Sequence, residues 1–146
     1  MVRCYITDRR RLGRSERQRR EALLEQVAAV AAAGIEFIQL REKDLDGGAL
    51  LALARAALTR IGTHGCRLLI NDRLDVALAS GAAGVHLPAA GLPPATVRAS
   101  APPGFLIAVS CHSLAEVTAA AQAGADACVL APIFATPSKP GAPGLG

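Results

Sequence analysis

The stretch Val27-Ala-Ala-Val-Ala-Ala-Ala-Gly34-Ile-Glu-Phe-Ile-Gln-Leu-Arg41 changes character at its single glycine. Before Gly34 an Ala/Leu/Val run suits a helix over Glu16–Ala33. After it, Phe37–Arg41 is a short β-rich run. Glycine at the junction lets the chain take the left-handed turn that ends a helix and start the next strand. Ser15 precedes Gln18 by three residues, so each can cap the other's backbone donor where this helix starts.

The same junction recurs at Ser80–Gly81 and Ala123–Gly124, so the three glycines stand 47 and 43 residues apart. Each interval holds two strand–helix units of a little over twenty residues. Strands are expected at Arg3–Thr7, Phe37–Arg41, Leu68–Asn71, Gly84–Leu87, Leu106–Ser110 and Ala127–Ala131. Helices are expected at Glu16–Ala33, Gly48–Ile61, Arg73–Ala79, Pro94–Ser100 and Leu114–Ala123, two of them announced by Pro93–Pro94 and by Ser113 with Glu116. Alternating β and α elements imply parallel strands with helical crossovers, and the regular repeat favours an α/β fold of the (β/α)₈ TIM-barrel type. Such a barrel needs eight units, about 250 residues as a rule. The expectation is a single domain over 1–146, truncated to about six parallel strands and five helices, with units seven and eight absent. An open parallel edge would favour self-association.

At 51% hydrophobic and 19% charged the composition is that of an ordinary globular domain. No apolar run approaches a membrane span, and no signal-type apolar region follows the arginines at 3, 9, 10, 11, 14, 17, 19 and 20. A cytoplasmic protein is expected. Net charge is +4, but the chain has no Trp, one Tyr and three Phe, which suits a small anionic ligand better than nucleic acid. The arginines at 9 to 20 are read as a solvated loop and helix face. Cys4, Cys66, Cys111 and Cys128 lack CxxC spacing and are read as reduced core thiols.

In a parallel barrel the functional groups gather at the C-terminal ends of strands. Gln39, Arg41 and Lys43 alternate with Ile38 and Leu40 at the second strand's exit. Asn71 and Asp72 close the third strand, and Ser110 and His112 the fifth. Thr136 and Ser138 follow the sixth. Of sixteen basic residues only Lys43 and Lys139 are lysine. Both stand at strand exits, where a compact ammonium can reach a phosphate oxygen in a way that guanidinium does not reproduce.

Six segments carry a specific resemblance: Tyr5-Ile-Thr-Asp8, Gln39-Leu-Arg-Glu-Lys-Asp44, Ile70-Asn-Asp-Arg73, Gly84-Val-His86, Val109-Ser-Cys-His112 and Pro132-Ile-Phe-Ala-Thr-Pro-Ser-Lys139. In order and spacing they resemble the thiamine phosphate synthase / thiazole tautomerase superfamily. The resemblance implies a transferase in thiamine biosynthesis that couples hydroxymethylpyrimidine pyrophosphate to thiazole phosphate and releases pyrophosphate. It further implies that Arg41, Lys43, Asn71 and Lys139 hold the pyrophosphate and Asp72 ligates Mg²⁺. Gln39 and His86 would face the pyrimidine, and Ser110, Thr136 and Ser138 would meet phosphate oxygens.

One departure concerns the metal. Synthases usually carry a second metal-ligand Asp where this chain has Gly91 in Pro88-Ala-Ala-Gly91, so Mg²⁺ would lean on substrate oxygens and water. The thiazole tautomerases resemble this chain in a Leu-Pro-rich segment here. In them a histidine after the fifth strand moves a proton, a role that His112 could fill. A third possibility is a non-catalytic fragment that binds phosphate. Plainer readings also stand: residues 41–44 as a solvated, self-compensated charge run, Asp72 as a helix cap, His112 as a surface residue, and His64 as a loop residue.

Overall fold

Six strands and five helices form in the computed structural model, which describes residues 2–134. Between Val85 and His86 the chain divides into two compact units. The first contains β1 (Cys4–Ile6), a 3₁₀ turn at Arg9–Arg11, α1 (Glu16–Ala32), β2 (Phe37–Leu40), α2 (Gly47–Ile61), β3 (Arg67–Asn71) and α3 (Leu74–Ser80), and it runs into β4 (Gly84–Leu87). The second continues with α4 (Pro94–Ser100), β5 (Leu106–Cys111), α5 (Leu114–Gln122) and β6 (Ala127–Leu130). None of the helices is long and apolar enough to cross a membrane.

In the first unit β1 pairs parallel with β2 from Cys4↔Phe37 to Ile6↔Gln39, and β2 with β3 from Phe37↔Arg67 to Leu40↔Ile70. In the second, β5 pairs parallel with β6 from Ala108↔Ala127 to Cys111↔Leu130. The expected helix signals are in place. Ser15 and Gln18 form a reciprocal capping box, Ser113 accepts from the Glu116 amide, and Gly34, Gly81 and Gly124 have φ of +74°, +77° and +89°. Asp46, which the sequence did not single out, caps α2 through the Ala49 amide and moves its start to Gly47.

The strands β1, β2 and β6 end one residue early, the first two for a local reason. Thr7 and Arg41 lie just outside β1 and β2 because the Arg41 amide donates to the Thr7 hydroxyl at 3.0 Å instead of to a backbone carbonyl. The first unit's core is made by Ile38, Leu40, Leu68 and Ile70 of the strands. Leu23, Val27 and Ala31 of α1 add to it at i, i+4, i+8 spacing, and Leu50, Leu53, Ala54, Ala57 and Ile61 of α2 at helical spacing. Each Leu or Ile buried there contributes about 1.5–3 kcal/mol. The second unit buries Leu87, Val97, Phe105, Ile107, Val109 and Ala120.

Two expectations need correction. Arg9 is buried, not solvated, because three carboxylates converge on its guanidinium. Of the cysteines, all four are free, but only Cys111 is buried; Cys66 and Cys128 are half-buried. Cys4 lies exposed on β1.

Candidate active site

In the first unit the exits of β2 and β3 border a cavity of about 270 Å³ lined by Glu42, Lys43, Leu45, Leu50, Asn71, Asp72 and Arg73. Gln39, buried near the end of β2, donates through Nε2 to Asn71 Oδ1 at 3.0 Å, which orients that amide at the cavity wall. Arg41 and Lys43 are both exposed, and neither side chain makes a salt bridge with a described residue. Arg73 instead pairs with Asp75 at 2.6 Å. That bond raises the guanidinium's pKa and lowers the carboxyl's.

Asp72 does not cap α3. Arg73 occupies the cap position, and no side chain caps there. The Arg73 amide donates to the Asn71 carbonyl at 2.8 Å, closing a three-residue turn on Asp72, whose φ is +64°. This is a strained conformation for a residue with a Cβ. The exposed carboxylate beside Lys43 and Asn71 takes no hydrogen bond from another described residue, so its oxygens remain available to a ligand.

Glu42 departs from the expected solvated charge run. It is buried between exposed Arg41 and exposed Lys43. Its partners are the Thr7 hydroxyl at 2.6 Å, the Arg9 amide at 3.2 Å to each oxygen, and Arg9 Nη1 at 3.0 Å. Arg9 also holds Asp44 through two bonds of 2.7 and 2.9 Å and Glu16 at 2.9 Å. Its pKa rises, chiefly through Asp44, and Asp44 is held below the usual carboxylate range by Arg9. Thr7, Arg9, Glu42 and Asp44 thus form a layer that the sequence did not reveal. The only hint was the Thr of Tyr5-Ile-Thr-Asp8 and one carboxylate between two cations.

In the second unit His86, buried on β4, places Nε2 2.8 Å from Ser110 Oγ on β5. His112, exposed just after β5, donates its amide to Glu116 Oε2 at 2.7 Å and sets Nδ1 3.4 Å from the same oxygen. Ser110 and Glu116 line a cavity of about 250 Å³ with Ala89, Pro94 and Cys111. Gly91 closes a turn by donating to the Pro88 carbonyl at 2.9 Å. A Cβ built there would lie 2.8 Å from Pro88 Cδ and 3.0 Å from its carbonyl oxygen. Thr136, Ser138 and Lys139 lie outside the described residues. No group of three or more His, Cys, Asp or Glu among the described residues could hold a metal ion.

A family model described as thiamine monophosphate synthase matches residues 5–146. The chain belongs to this family. Among curated relatives, a thiamine-phosphate synthase of Methanoculleus marisnigri is 50% identical over 117 residues, covering 80% of this chain and 56% of that protein. One of Albidiferax ferrireducens is 43% identical, covering 80% and 53%. A Geobacter sulfurreducens relative is 46% identical over 134 residues, which is 92% of this chain and 60% of its own length. The chain therefore spans between half and two thirds of the length of these relatives. A solved structure of a thiamine phosphate pyrophosphorylase from Pyrococcus furiosus matches with a TM-score of 0.77 at 29% identity, covering 92% of this chain and 62% of that one. The fold class is α/β of the TIM-barrel type, as the strand–helix repeat implied.

Proposed function

We propose that the chain carries the pyrophosphate-handling part of a thiamine phosphate synthase. This enzyme would transfer the pyrimidinylmethyl group of hydroxymethylpyrimidine pyrophosphate to the ring nitrogen of thiazole phosphate. The observation that carries the proposal is the β2–β3 exit. Lys43, Asn71 and Asp72 border one cavity, and among the described residues neither Lys43 nor Asp72 makes a salt bridge. Family membership names the reaction that such a site would serve.

Ionisation leaves negative charge on the departing pyrophosphate, so fixed cations next to its oxygens lower the barrier. Arg41 and Lys43 would supply that charge, Lys43 as a point charge and Arg41 as a fork. Asn71, oriented by Gln39, would donate an amide N–H to a phosphate oxygen. Gln39 and His86 are assigned to the pyrimidine, Ser110 to a phosphate oxygen, and Thr136, Ser138 and Lys139 to the pyrophosphate by family likeness. Asp72 fits Mg²⁺, which is commonly held by one or two carboxylates with substrate oxygens and water completing the shell. When bound, Mg²⁺ would neutralise part of the pyrophosphate charge. Asp72 would be the one carboxylate given to it, since Gly91 has no side chain.

Product formation tests the reading. The 146-residue chain, alone and with any coding sequence that flanks it, is supplied with both substrates and Mg²⁺, and thiamine phosphate is followed by fluorescence after oxidation. Product that disappears in Lys43→Ala and Asp72→Ala supports the synthase. Conversion of the thiazole tautomer without product, lost in His112→Ala, would replace it with the isomerase.

A further inference from the structure

We propose that Glu42 is a positioning residue, and that together with Thr7 and Arg9 it aims the Arg41 and Lys43 side chains at the phosphate they bind. The proposal rests on the reading of the β2 exit as a pyrophosphate site. Three of the four residues 41–44 are tied there, Arg41 through its amide and Glu42 and Asp44 through their carboxylates. The Arg41 amide donates to Thr7 Oγ1 at 3.0 Å, and the same hydroxyl donates to Glu42 Oε1 at 2.6 Å. Arg9 grips Glu42 and Asp44, the two neighbours of Lys43, with a single guanidinium. The side chains of Arg9 and Glu42 are 3% and 1% exposed, so the bonds between these two lie out of water and are little screened by it, whereas the Asp44 side chain is 41% exposed. With residues 41, 42 and 44 fixed, the exposed side chains of Arg41 and Lys43 start from a backbone that is ordered before a ligand arrives.

Two carboxylates flanking Lys43 oppose an anion electrostatically, so what they add to an anion site is geometry. Thr7 offers a test in which no charge changes. Thr7→Val keeps the shape of this buried side chain but removes the hydroxyl that joins Glu42 to the Arg41 amide. Thr7→Ser keeps the hydroxyl.

Inorganic pyrophosphate is titrated calorimetrically into the wild-type chain, Thr7→Val, Thr7→Ser and Glu42→Gln, each checked for folding by circular dichroism. Amide hydrogen exchange of residues 41–44 is measured on the same samples. Thr7→Val should bind about tenfold more weakly, the equivalent of one lost hydrogen bond to a charged group. Its amides 41–44 should exchange faster, and Thr7→Ser should restore both properties. Glu42→Gln, although it removes a negative charge, should also bind more weakly. Folded Thr7→Val and Glu42→Gln that bind as tightly as wild type, or more tightly, would overturn the positioning role while leaving the pyrophosphate site intact. Absence of binding to the wild-type chain at millimolar pyrophosphate would sink the functional reading itself, and with it the role of Glu42.

Discussion

Replacing Arg9 with Met should be among the most damaging single changes in the first unit. The side chain is of similar length and apolar, so it fills the space but leaves the Glu42 carboxylate buried with, among the described residues, only the Thr7 hydroxyl and the residue-9 amide as partners. Removing one partner of a buried ion pair costs about 3–5 kcal/mol. The pairs with Asp44 and Glu16, whose side chains are 41% and 48% exposed, add at most about 1 kcal/mol each. Against a typical domain stability of about 5–15 kcal/mol this is a large share. It corresponds to a fall in Tm on the order of 10–20 °C for a chain of this size. Urea unfolding at pH 7, followed by far-ultraviolet circular dichroism, measures it. The double variant Arg9→Met/Glu42→Leu should recover most of the loss, because an apolar pair carries no desolvation penalty. A loss under about 1 kcal/mol in Arg9→Met would refute the account of this network. Acid adds a second signature. Asp44 titrates below its unfolded value because Arg9 bonds it, so its contribution is present above the unfolded pKa and fades as pH falls through the lowered one. That part of the acid dependence should vanish in Arg9→Met.

At Asp72, whose φ is +64°, Gly should be more stable than Ala by about 1 kcal/mol, the reverse of their usual order, and thermal unfolding of Asp72→Gly and Asp72→Ala decides it. Gly91→Asp should cost about 1–3 kcal/mol, because its Cβ would sit 2.8 Å from Pro88 Cδ, and adding Pro88→Ala should return part of that. An unchanged Tm in the single variant would contradict the crowding. Burial, and then the Cys128 thiol beside it, push the Cys111 pKa up to about 11. Iodoacetamide at pH 8 should therefore label Cys111 far more slowly than exposed Cys4, and equal rates by mass spectrometry would contradict its buried position.

The strand–helix repeat was readable because its signals are local. Gly34, Gly81 and Gly124 mark helix ends by backbone freedom, and Ser15 with Gln18 marks a start by hydrogen bonding within one turn. The placement of three candidate residues at strand exits was legible for a related reason. Lys43, Asn71 and Asp72 stand at strand exits, which periodicity locates, and they line one cavity. What escaped was long-range pairing. Arg9 meets Glu42 across 33 residues of sequence, and nothing in an arginine-rich segment distinguishes the one guanidinium that is buried from those in solvent. Glu42 was hidden by its neighbours: a run of alternating charges looks self-compensating until its carboxylate is seen to turn inward toward Thr7. The cap reading of Asp72 failed for a backbone reason, since a turn closed on the residue itself moves the cap position to Arg73 and the helix start to Leu74.

Whether the β2–β3 exit binds the leaving group is settled most directly by titrating inorganic pyrophosphate into the wild-type chain and into Lys43→Ala, with and without Mg²⁺. Binding by the wild type should tighten with Mg²⁺ and be lost, or weakened at least tenfold, in folded Lys43→Ala. Equal affinity in the two proteins would contradict this.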